Sequence, residues 1–213
     1  MDSTTKRSVP LMVVCVLGLL MVPGALVSIA YCFYDYVSWV TYYPSFKSII
    51  RLLYAIPLLW AMPAAAVSFV LLMVGKSPKA CAVLPILGGL SALIEAVIYI
   101  SEIGSGNREW FQWCNCVAVI VLGFLTAVSC VLTIPGSINP KLSWMALALP
   151  AVAIMQSLRV IFNMICLIVN DYFVTDITDI FMSIFTEYHI FFFFGIAVFL
   201  YGRWKKKQAE LSV

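Results

Sequence analysis

Charge is scarce in this chain. Asp, Glu, Lys and Arg together make up 11% of its 213 residues, against about 25% in soluble domains. With 63% hydrophobic residues and a mean hydropathy of +1.03, a water-soluble fold is excluded. The 13 basic and 10 acidic groups leave a net charge of +3, too small and too scattered for nucleic-acid binding. Histidine occurs once, at His189, and no spaced ligand set accompanies it, so nothing points to a metal. The sequence also lacks a GxSxG nucleophile elbow, an HExxH pair and a phosphate-binding Gly-Lys-Ser/Thr loop; Lys76-Ser77 follows a single glycine. No cofactor is expected, and the reading leans away from an enzyme. No polar linker is long enough to tether a second domain, so residues 1–213 read as one transmembrane domain.

What the chain does contain is apolar runs. A bilayer core about 30 Å thick needs about 20 apolar residues per helix, and six stretches qualify, giving an all-α polytopic membrane protein with six transmembrane helices. They are Val9 to Tyr31, Lys47 to Gly75, Ala80 to Ser101, Phe111 to Pro135, Ser143 to Val169, and Ile177 to Gly202. Turn chemistry separates them at Gly75 to Pro78, Gly104 to Asn107, and Pro135 to Pro140.

Lys and Arg concentrate in cytoplasmic loops. With the N-terminus inside, Lys6, Arg7, Lys76, Lys79, Lys141, Arg203, Lys205, Lys206 and Lys207 fall on the inner side, and Asp35, Glu102, Glu109, Asp171, Asp176 and Asp179 on the outer side. The expectation is a cell-membrane protein with both termini cytoplasmic. A competing reading makes the first span a signal peptide cleaved near Ser28 to Ala30, although its apolar run exceeds the 7–15 residues of a signal core. The basic run Lys205 to Lys207 beside Trp204 reads as an anchor attracted to anionic lipid, or as a dock for a cytoplasmic or membrane protein partner.

An internal similarity lies in the middle of the chain. Ala66-Val67-Ser68-Phe69-Val70-Leu71 recurs as Ala127-Val128-Ser129-Cys130-Val131-Leu132, at an offset of 61. Gly75 then matches Gly136, and, after short insertions, Pro78-Lys79 matches Pro140-Lys141 and Pro85 matches Pro150. Either the hairpin of spans two and three is repeated in parallel as spans four and five, or residues common in membrane helices recur by chance. Under both readings Gly88 with Ala92, and Ala153 with Ser157, are small pairs that permit close helix packing.

Ionisable groups inside a bilayer cost about 2.5–3.5 kcal/mol each on insertion scales and point to function by default. Glu95, Arg159 and Glu187 each lie 15 residues from the inner end of their span, so all three sit roughly 22 Å above the cytoplasmic face. Gln156, Arg159 and Asn163 share one helical face, as do Ser91, Glu95, Tyr99 and Glu102, and Asp179, Ser183 and Glu187. The candidate ligand-binding residues are therefore Arg159, Glu95, Glu187, Gln156 and Asn163. Two functions fit: a protein that binds or transports a small polar or anionic solute through an outward-facing site, or a non-transporting sensor or assembly module in which Arg159 locks onto a carboxylate.

Eight aromatics between Tyr31 and Phe46 suggest an interfacial belt, or a short helix lying across the outer opening. Cys32, Cys114 and Cys116 fall near the outer surface, where a link from Cys32 to either of the others is open. Six spans in about 200 residues resembles the substrate-binding subunits of energy-coupling-factor vitamin transporters in size and helix count. The Ala-x-x-x-Ala spacing of their first span stands here in the second, at Ala61 and Ala65. The likeness is one of fold and implies no activity for this chain.

Overall fold

The computed structural model describes residues 8–75, 78–103, 109–169 and 187–211. These residues form six helices and no strand: α1 (Val9–Tyr42), α2 (Phe46–Val74), α3 (Val83–Glu102), α4 (Trp110–Ile138), α5 (Ala148–Val169) and α6 (Glu187–Leu211). The first five helical stretches are each long and apolar enough to cross a membrane. The chain is an all-α, multi-pass membrane protein. Of the sixth expected span, residues 177–186 lie outside the described residues, as do Asp171, Asp176, Asp179 and Ser183; what is described starts at Glu187 and continues past Gly202 to Leu211.

Each helix packs on the next in sequence, and α6 returns to α1, so the six close into a ring. Small residues set how closely they approach, because lipid tails give apolar helices no hydrophobic reason to associate and packing must supply it. The Phe69 ring of α2 fills the space above Gly18 of α1, and the Phe191 ring of α6 fills that above Gly88 of α3. Gly123 of α4 lets the Ala92 carbonyl of α3 come to 2.9 Å from where a Cβ would stand. Gly195 and Gly202 of α6 lie against the segment leading into α5, touching Pro150 and Ser143.

Three buried hydroxyls of α4 donate within their own helix. Thr126, Thr133 and Ser137 each donate to the carbonyl four residues back, at 2.7, 2.7 and 2.9 Å. This satisfies a buried hydroxyl where no water is at hand.

The two similar hairpins share a form. In each, a 3-10 segment that begins at a Pro-Lys pair, Pro78–Ala82 and Pro140–Leu147, leads into the following helix. Their matched residues also use matched faces: Ser68, Phe69, Ser129 and Cys130 are buried, while Val67, Val70, Val128 and Val131 are exposed. They differ at the turn. Gly75 ends α2 in the left-handed region at φ 76°, whereas Gly136 stays within α4, which runs on to Ile138.

α1 differs from expectation in length. It continues through most of the aromatic run to Tyr42 as one helix of 34 residues, about 51 Å long, so the rings from Tyr31 to Tyr42 belong to the end of α1 and not to a separate short helix. No glycine or proline between Tyr31 and Tyr42 supplies a stop, and a helix needs none where it leaves the bilayer. The turn after it is fixed by Ser45, whose hydroxyl accepts from the Ser48 N–H at 3.1 Å while Ser48 Oγ accepts from the Ser45 N–H at 3.0 Å. Losing such a cap costs about 1 kcal/mol. Ser45→Ala is accordingly expected to lower the thermal midpoint of the purified protein by about 2–4 °C, a small shift that a change of Ser38 in α1, whose hydroxyl only bonds its own helix, will not reproduce.

Candidate polar site among the helices

Five helices send polar side chains to one place. Arg159 of α5 donates from Nε to Gln156 Oε1 at 2.9 Å, and from Nη1 to Asn115 Oδ1 of α4 at 3.0 Å. Gln156 in turn donates from Nε2 to Thr126 Oγ1 at 3.5 Å. The guanidinium is thus aimed by two amides, which fix its plane and leave its charge in place. Gln156 is 1% exposed, so its amide is a rigid rest; Arg159 itself is half-buried.

The two carboxylates are held by tyrosines. Tyr54 Oη of α2 donates to Glu187 Oε1 at 2.9 Å, and Tyr188 Oη of α6 donates to Glu95 Oε2 of α3 at 3.4 Å. Tyr188 also lies beside the Arg159 guanidinium. Ser91 of α3 ties the Tyr54 backbone in place, donating to its carbonyl at 2.7 Å. Glu187 and Tyr188 are adjacent on α6, so successive residues reach opposite neighbours. One turn further out on α2, Arg51 pairs with Glu102 of α3, the single ion pair among the described residues.

Of the residues singled out in the sequence, Glu95 lies within electrostatic reach of both Glu187 and Arg159, and Gln156, on the helical face of Arg159, accepts a hydrogen bond from it. Asn163 joins none of these hydrogen bonds. Sequence reasoning missed Asn115, Tyr54 and Tyr188. Asn115 carried a usable signal, since it is an amide inside a strongly apolar run; the tyrosines carried none, because a tyrosine in a membrane helix is ordinary. Among the described residues no disulfide forms, and Cys32 is linked to neither Cys114 nor Cys116.

No family model matches the chain, and neither does any curated protein or solved structure. Its chemistry rests on its own residues.

The opposite end of the bundle holds a different feature. A cleft of about 430 Å³, open to solvent, is lined by Ser8 and Leu11 of the α1 start, Leu72 and Val74 of the α2 end, and Trp204 of α6. Tyr201 Oη donates to the Gly75 carbonyl at 3.4 Å, and the Lys205 ammonium lies 5.1 Å from the Trp204 ring centroid. The start of α1 and the end of α6 are therefore on one face of the bundle. No residue of the polar cluster lines this cleft.

Proposed function

We propose that this membrane protein binds, and moves, a small polar solute at the cluster around Arg159, Glu95 and Glu187, with both ends of the chain on the cytoplasmic side of the cell membrane. The orientation rests on the lysines and arginines gathered at the face that carries Gly75 and Trp204. That places the cluster in the outer half of the bilayer, within reach of the outside. The observation that carries the reading is how Arg159 is held. A structural ionic lock needs a carboxylate against the guanidinium, because a buried charge demands compensation. Among the described residues no carboxylate pairs directly with it: the Gln156 and Asn115 amides accept its hydrogen bonds, the Tyr188 hydroxyl stands beside it, and Glu95 acts on it only from a distance, an arrangement that positions a cation for something else to meet.

A solute that binds only the folded state must stabilise it, by about 2.7 kcal/mol at a hundred times its dissociation constant. Thermal unfolding of the purified, detergent-solubilised protein against a panel of amino acids, carboxylates, amines and inorganic phosphate is the test. At least one solute is expected to raise the midpoint of the parent and to have no effect on Arg159→Gln. A panel without effect, or a shift that survives Arg159→Gln, overturns the reading; uptake into liposomes then distinguishes transport from binding alone.

A further inference from the structure

Building on that reading, we infer that the solute is a small zwitterion, its anionic end on Arg159 and its ammonium among Glu95, Glu187 and the tyrosines around them. The charge count is the first reason. Two carboxylates and one guanidinium meet in the cluster, and the Arg51–Glu102 pair lies outside it, so acidic groups outnumber the basic one. A bare anion entering here would compete with them for the single guanidinium, and like charges repel strongly where the surroundings polarise weakly. A neutral zwitterion brings its own positive group to that surplus of carboxyl groups.

The second reason is the company Glu95 keeps. Tyr36 of α1, Tyr54 of α2, Tyr99 of α3 and Tyr188 of α6 all lie within electrostatic reach of it. Four tyrosines from four helices near a carboxylate supply the kinds of group an ammonium uses, a counter-charge and aromatic rings. Most of these groups remain half-buried, Glu95, Glu187, Tyr36, Tyr54 and Tyr99 among them. Tyr188 is 5% exposed and stands between the two halves, donating to Glu95 and lying beside Arg159. One buried hydroxyl thus stands next to both the place for the cation and the place for the anion, and a short zwitterion is the solute that suits two such neighbouring places.

The test uses the full chain in detergent and six probes: glycine and trimethylglycine as zwitterions, ethylammonium and choline as cations, propionate and inorganic phosphate as anions. At equal concentration a zwitterion is expected to raise the thermal midpoint more than the cation and the anion of matching size combined. Glu95→Gln is expected to weaken zwitterion binding at least tenfold, with Glu187→Gln as the second variant should the first fail to fold. Propionate or phosphate matching the zwitterions overturns the inference and leaves the proposed function standing, as does zwitterion binding unaltered in both variants. Cations that match the zwitterions overturn it equally, by removing the part assigned to Arg159. If the wider panel of amino acids, carboxylates, amines and phosphate also has no effect, both fall together.

Discussion

Gly195→Leu will yield no folded protein, and Gly195→Ala will lower the thermal midpoint by about 6–12 °C. The reason is what lies above this glycine. A Cβ placed there meets the ring of Pro150 and comes within 2.7 Å of the Ala146 carbonyl oxygen. Neither neighbour is the free end of a flexible side chain; one is a proline ring and the other is backbone. Relief must come from moving α6 away from α5, and this opens the contacts of Phe191 and Phe194 in the core as well. Overpacking at its upper range costs about 3 kcal/mol, which in a chain of this size corresponds to the quoted shift at about 2–4 °C per kcal/mol. Gly202 faces the same obstacle, with Ser143 and the Pro140 carbonyl, at 2.9 Å, above it. The comparison that isolates packing is Val131→Leu, a change of similar added bulk on an exposed face, for which an unchanged midpoint is expected. A Gly195→Ala protein as stable as the parent would show that α6 is free to shift.

Arg159→Lys will fold and bind its solute at least about tenfold more weakly. Lysine retains the positive charge but ends in a point ammonium on a flexible stem, and it cannot present two fixed N–H groups in one plane to Gln156 and Asn115. The charge then loses its aim. Hydrogen bonds to charged groups are worth about 1.5–3 kcal/mol, so losing one of them to the solute weakens binding by roughly tenfold to a hundredfold. Isothermal titration with any solute that stabilises the parent measures this directly. The thermal midpoint without solute is the control and is expected to fall by only a few degrees. Undiminished affinity in Arg159→Lys would mean that charge alone, without orientation, serves the site.

The contrast between these two positions shows what a sequence of this kind discloses. Apolar runs announce helices because a bilayer leaves a chain few other ways to satisfy its backbone. Depth can be counted along each run, and the count sets Glu95, Arg159 and Glu187 in one layer. Pairing across helices cannot be counted in this way. That Tyr54 serves Glu187 while Tyr188 serves Glu95 depends on how α6 is rotated, and the rotation is set by Gly88 receiving Phe191 and by Gly195 receiving Pro150. Nor did the sequence show that Arg159 rests on Asn115, since the two stand 44 positions apart on helices whose relative rotation only packing decides. The aromatic run after Tyr31 is legible as an interfacial belt or a separate short helix but not as a continuation of α1, because the expected span length comes from the bilayer and not from any break in the chain.

The closing of the ring by α6 bears on how the protein is made. Helices reach the membrane in the order of their synthesis, and the five preceding helical stretches are each apolar enough to enter it unaided. When α5 has entered, Arg159 already has Gln156 and Asn115, but Glu95 still lacks the hydroxyl of Tyr188, and the space above Gly88 has no ring to fill it. The last of the described helices brings both at once. Among the described helices the docking of α6 thus ties that hydrogen bond to the closing of the core. A nascent chain in which α6 has not yet docked leaves Glu95 without the Tyr188 hydroxyl, and a carboxyl group short of partners inside a bilayer is a costly state by which an undocked molecule differs from a docked one.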